Sequence, residues 1–230
     1  MASYQDNQRN VIDAIEKQIQ TNSLTVSTVS PVDDYQKDSR ICLTSVHFPK
    51  EFLVQKIQET VIDPLRDIEP EHFYYPRDSL HMTIKNIRII NDPPHFTDGD
   101  IQKAKAIFSD VIPRHRKFNV YFYRLLLFPL NLALIGTTDP ELDSIILDLD
   151  RKLIEAGVPD DKKYVNDKYF FGNITLARFK NPVSDTFQQK VGELSRTISF
   201  APYAVDSVSL ATGSAMFTKR NVYGTWELQE

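Results

Sequence analysis

The run SLHMTIKN sets His81, Thr83 and Lys85 at alternate positions, so in an extended strand these three share one face while Met82 and Ile84 share the other. An imidazole that titrates near neutral pH, a hydroxyl that donates to a phosphoryl oxygen and an ammonium that offsets developing charge suit proton transfer at a phosphate. A histidine two residues before a threonine is a frequent accident, and a lone strand histidine is more often structural than catalytic. A second run changes that weighting. Ninety-two positions after His81, FFGNITLARF presents Asn173 and Thr175 with the same alternation and with apolar Ile174 and Leu176 between and after them.

The neighbours of these runs divide between chemistry and packing. Lys85 reads equally as a phosphate contact or as a solvated lysine. Strand alternation turns Arg178 away from Asn173 and Thr175, toward a structural ion pair, unless a bulge reverses it. Tyr169 and Phe171 precede Asn173 on its face and have the character to stack on a nucleobase, with core packing the stronger expectation for Phe171. The single cysteine, Cys42, lies in the apolar run ICLTSVHF and reads as a buried thiol, which fits a reducing compartment. His115 belongs to the small basic cluster PRHRKF, which is either solvated or able to receive RNA backbone. His72 and His95 fall in Pro-flanked turns. No histidine or cysteine spacing matches a zinc site, and none of the seven glycines builds a phosphate-binding loop of the common kinds.

Elements able to hold two such strands alternate along 230 residues. Residues 1–39 read as an appendage: a short amphipathic helix through Val11, Ile12, Ile15 and Ile19, then a polar connector, with packing on the body expected over recruitment of a partner. From 40 to 230 the chain reads as one domain. ICLTSVHF is strand-like, Pro49 opens a helical stretch, and LHMTIKNIRI is strand-like again. The order then repeats. Asp98 to Ile112 is helical, FNVYFYRLLLF and LNLALIGTT are strand-like, and Glu141 to Ala156 is a helix closed by Gly157. YFFGNITLARF is strand-like, Thr186 to Ser195 helical, and two further strand-like runs lie between Ala204 and Leu228. The fold class expected is α+β, with two pseudo-symmetric lobes of antiparallel sheet around a central cleft and helices outside. A net charge of −4 argues against non-specific binding of long nucleic acid through a basic surface. No apolar run is long enough to span a membrane and no signal pattern opens the chain, so the expected place is the cytoplasm, as a monomer.

On the two motifs H-M-T-I-K and N-I-T-L-A-R, the order of elements and the motif separation, residues 40 to 230 resemble a two-histidine (2H) phosphoesterase, the family of RNA 2′,3′-cyclic phosphodiesterases and 2′-5′ RNA ligases. Asn173 stands where that family's second histidine is expected. The resemblance implies a cyclic nucleotide or an RNA terminus with a cyclic phosphate as partner, no cofactor or metal, and acid/base hydrolysis without a covalent intermediate. It makes His81 the proton donor, Thr83 and Thr175 the phosphate clamps, and Asn173 the occupant of the proton acceptor's place. An amide orients water but does not take its proton at neutral pH. Asn173 is then an engineered change, a natural loss that leaves a nucleotide- or RNA-binding module, or a variant that borrows a base elsewhere. A third reading makes both motifs coincidental core strands of an unrelated protein. Convergence of His81, Thr83, Asn173 and Thr175 in one cleft separates that reading from the others.

Overall fold

A computed structural model describes residues 3–24, 29–162 and 167–230. The first helix, α1 (Tyr4–Gln20), starts at a reciprocal cap in which the Ser3 hydroxyl accepts from the Asp6 amide and the Asp6 carboxylate accepts from the Ser3 amide. After the connector come β1 (Ile41–His47), then α2 (Glu51–Ile57), a π-helical turn (Gln58–Ile62) and α3 (Asp63–Arg66). β2 (Phe73–Tyr74) and β3 (Met82–Asn91) follow, then α4 (Asp98–Val111), β4 (Phe118–Leu127), β5 (Asn131–Thr138) and α5 (Glu141–Glu155). The chain closes with β6 (Gly172–Arg178), α6 (Asp185–Thr197), β7 (Tyr203–Val205), β8 (Ser207–Gly213) and β9 (Arg220–Glu227).

The helices form where the apolar period predicts. In α5, Leu142, Ile145, Ile146, Leu149 and Leu153 are buried on one stripe. Gly157 ends it in the left-handed region (φ 73°), which lets the Val158 amide reach back to the Leu153 carbonyl at 2.8 Å. Thr97 and Asp100 cap α4 reciprocally.

The described strands make one curled antiparallel sheet in the order β7-β4-β5-β6-β3-β1-β8-β9, with β2 added beside β6. Its midline is the pairing of β6 with β3, and four strands lie on each side, so the two lobes are halves of one sheet. The curl brings the far edge back. Tyr203 of β7 touches β1, its hydroxyl 2.8 Å from His47 Nε2 and accepting from the Lys50 amide at 2.9 Å. Met82, Ile174 and Leu134 point into the main core, where helices α2 to α6 cover the outer face. The inner face is the cleft. Helix α1 departs from the expected arrangement, because it packs on that inner face, with Ile12 and Ile15 against Leu126, Ala133 and Ile135. No helix among the described residues is long and apolar enough to cross a membrane.

Candidate active site

The two motif strands meet at a single register point, Met82 opposite Ile174. Continuing that antiparallel register sets His81 opposite Thr175 and Thr83 opposite Asn173, and all four point away from the core that holds Met82 and Ile174. Directly opposed side chains on one face lie about 4.5–5.5 Å apart at Cβ. They therefore form a rectangle: imidazole and amide on one diagonal, two hydroxyls on the other. All four line a cavity of about 530 Å³. Among the described residues neither threonine hydroxyl, nor the Asn173 amide, has a hydrogen-bond partner, so the polar atoms of three corners are open to a ligand.

His81 is held more tightly. Its Nδ1 lies 2.8 Å from the Ser79 carbonyl, which only accepts, so the proton sits on Nδ1 and Nε2 is the atom left for chemistry. The ring packs on Phe217 with centroids 4.2 Å apart. Phe217 is brought there by a left-handed backbone (φ 57°), a conformation uncommon for a bulky residue, and Gly213 beneath it leaves the space that a Cβ would take from its ring. Burial pushes the His81 pKa down to about 4, opposed by the Ser79 carbonyl and reinforced by the positive charges of Arg178 and Arg220. At neutral pH the ring is uncharged and Nε2 carries a lone pair. A proton-donor role for His81 requires a bound anion to draw a proton onto it.

Two β-bulges reassign the residues that follow each motif. In β3, Ser45 pairs with Lys85 and Val46 with Thr83, which leaves Ile84 as an extra residue. Alternation resets there, so Lys85 does not share the cleft face with His81 and Thr83 as simple alternation predicts. It points to the other side, 3% exposed, with Nζ 2.7 Å from Asp160 and 3.1 Å from Asp150. Asn86 takes the cleft position instead. In β6, Leu132 pairs with Ala177 and Ala133 with Thr175, so Leu176 is the extra residue. Here the reset turns Arg178 into the cleft, against the expectation for an unbulged strand. Its Nε donates to the Tyr75 hydroxyl at 3.1 Å and to the Ala215 carbonyl at 3.3 Å, and its guanidinium lies 5.8 Å from the rings of both Tyr35 and Tyr75. Asn86 and Arg178 stand at matching places, each five residues after its motif's first position.

Tyr169 and Phe171 both line the cavity. Tyr169 meets Tyr4 of α1 edge to face at 6.1 Å, and Phe171 packs with the apolar cluster under α1 while still bordering the cleft. Cys42 also borders the cleft rather than lying in the main core, its thiol donating to the Gly213 carbonyl at 3.3 Å, and burial raises its pKa to about 11. Most of the basic cluster around His115 is paired: His115 sits 2.8 Å from Glu141 and 3.3 Å from Asp148, Lys117 pairs with Glu230 and Arg114 with Asp110, which leaves Arg116 exposed. The cluster offers RNA little free charge. Sequence patterns did not point to Asn86, Tyr75, Phe217, Ile15 or Lys162 as cleft residues. Lys162, whose pKa burial lowers, carried no motif signal, and Ile15 reads only as one apolar position of a helix.

One group among the described residues has the geometry for a cation, Glu69, Glu71 and His72. It is not part of the cleft lining, and its two buried members are engaged with each other: Glu69 accepts from the Ser184 amide at 2.9 Å and lies 2.6 Å from His72 Nε2, bracing the start of α6. His72 is wedged between Phe179 and Phe187.

No family model and no curated protein matches the sequence. Solved structures do match the fold. A phosphoesterase crystal structure superposes with a TM-score of 0.55 at 13% identity, covering 84% of this chain and 100% of that one. The chain shares the fold of that structure. LigT of E. coli, in its apo form, superposes with a TM-score of 0.54 at 15% identity over 84% of this chain and 100% of its own. ATU0111 from Agrobacterium tumefaciens, a conserved protein of unknown function, gives a TM-score of 0.62 at 14% identity, covering 93% of this chain and 96% of that one. The LigT-like structures are matched in full while about a sixth of this chain extends beyond them.

Proposed function

We propose that the cleft binds a nucleotide bearing a 2′,3′-cyclic phosphate, free or at an RNA terminus, and that a chain with a second histidine at position 173 hydrolyses it. The observation that carries this reading is the Met82–Ile174 register, which gathers His81, Thr83, Asn173 and Thr175 on one patch of sheet. Thr83 and Thr175 donate to the two non-bridging oxygens of the phosphate. The phosphate's charge draws a proton onto His81 Nε2, with Nδ1 still held by Ser79, and His81 gives that proton to the leaving ribose oxygen as water attacks phosphorus. Asn173 holds the attacking water through its amide and leaves the water's proton without an acceptor. Arg178 and Asn86 flank the phosphate, and Tyr169 and Phe171 offer faces to the base. Crystal structures of LigT with phosphate and with 3′-AMP support a ligand of this class on the same fold. We place the protein in the cytoplasm as a monomer.

The second reading is a binding module without turnover, favoured by Asn173 itself. Both are tested by incubating the protein, Asn173→His and His81→Ala with 2′,3′-cyclic nucleotides and with cyclic-phosphate-ended RNA. Turnover that appears with Asn173→His supports an enzyme framework lacking its base, and binding without turnover in both proteins supports the module. Activity of the unmodified chain that survives His81→Ala removes His81 from its role.

A further inference from the structure

The second lobe's half of the cleft is not open sheet. On β5, Ala133 and Ile135 stand opposite Thr175 and Asn173, and on β4, Leu126 and Arg124 stand opposite Ala133 and Ile135. This surface leads away from the phosphate clamp on the Asn173 side, and a polynucleotide running across that lobe would lie on it. Helix α1 lies there instead. Its Ile12 and Ile15 pack on Leu126, Ala133 and Ile135 in a cluster separate from the main core, and Ile15 forms part of the cavity wall. Gln8, fully buried, locks the helix in place: its side-chain oxygen accepts from the Thr138 amide at 2.9 Å, and its nitrogen donates to the Thr138 hydroxyl at 2.8 Å and to the Phe170 carbonyl.

The charge pattern agrees with the steric one. Arg124 is the cation that β4 presents beside this surface, and Asp13 and Glu16 of α1 hold it at 2.7 Å and 2.9 Å. A phosphate chain arriving there meets a guanidinium already neutralised and two carboxylates next to it. A helix of 17 residues is about 25 Å long, enough to span the two strands it covers. The cavity that remains, about 530 Å³, is of the size that takes a small molecule.

We infer that α1 is a length filter: it leaves room beside the clamp for a nucleotide-sized cyclic phosphate and denies the second lobe to a continuing RNA chain. The inference rests on the clamp binding a phosphate and adds which ligands reach it.

The test measures binding of adenosine 2′,3′-cyclic monophosphate and of a hexaribonucleotide ending in a 2′,3′-cyclic phosphate at low salt. Three forms of the full-length chain are compared: unmodified, Ile12→Ser/Ile15→Ser to loosen α1, and Asp13→Asn/Glu16→Gln to free Arg124. The unmodified chain is expected to prefer the mononucleotide by about tenfold or more, and the loosened helix to narrow that gap to about threefold or less. The charge variant keeps the apolar contacts and so still reports if the serine variant unfolds. It is expected to strengthen hexamer binding about tenfold in a salt-dependent way, with the mononucleotide unchanged. If the hexamer binds the unmodified chain as well as the mononucleotide does, α1 is no filter and the clamp stands. If neither ligand binds, the clamp itself fails and the inference with it.

Discussion

The two halves of the cleft are built alike and furnished differently. β3 and β6 each carry a polar residue, a threonine two positions on, a one-residue bulge, and a polar residue returned to the cleft by that bulge. On β3 and the residue that leads into it these are His81, Thr83 and Asn86. On β6 they are Asn173, Thr175 and Arg178. Of these six residues, the proton-transfer group therefore lies in one lobe and the cation in the other, so the motifs share phosphate holding while only the first can exchange a proton. What surrounds them differs as well: beside β6 the cleft meets α1 and its apolar cluster, while on the β3 side it meets Thr44, Cys42 and Lys162.

The largest effect should come from making the halves match. Asn173→His is expected to raise hydrolysis of a 2′,3′-cyclic nucleotide by about 10²- to 10⁴-fold, and His81→Asn in that background to remove the gain, both read from steady-state rates. Next in size, Lys85→Met takes a buried ammonium away from Asp160 and Asp150 and should cost about 3 kcal/mol in denaturant unfolding while leaving phosphate affinity unchanged. Loss of phosphate binding in that variant would contradict the bulge at Ile84. Thr83→Val and Thr175→Val each remove one hydrogen bond to an anion and should weaken inorganic phosphate binding about tenfold or somewhat more, by similar factors. Very unequal losses would break the equivalence of the lobes.

The most gradual effect is in pH. His81 titrates lower in the folded chain, about 4, than its ordinary 6.5, so the unfolded chain binds the extra proton first. Its contribution to stability is complete above 6.5 and is lost as pH falls toward 4, with a slope of at most about 1.4 kcal/mol per unit. Buried His47 shifts the same way. Urea midpoints measured from pH 7 to pH 4 should fall, and His81→Gln should flatten the lower part of the curve.

Much of this architecture was legible in the residues. Two matching motifs on apolar strands fixed which faces meet, because Met82 and Ile174 must enter the core and so turn His81, Thr83, Asn173 and Thr175 the other way. The residues just beyond the motifs were not legible. Ile84 and Leu176 look like ordinary apolar strand positions, and nothing in either run marks it as the residue without a partner. That property belongs to the register with β1 and β5, formed by segments far away in sequence. One unpaired residue in each strand was enough: Ile84 misplaced Lys85 and hid Asn86, and Leu176 turned Arg178 into the cleft. Helix α1 was readable as amphipathic, but an apolar stripe does not say which surface it covers. Gln8 and Arg124, whose partners lie more than a hundred residues away, decide that.

The pairing of Met82 with Ile174 also has a mechanical consequence. Because the two motif strands pair directly, the clamp is a ruler whose graduation is the strand spacing, about 4.8 Å, and a ligand is measured against it. A tetrahedral anion of phosphate dimensions should be accepted whether its centre is phosphorus or sulfur.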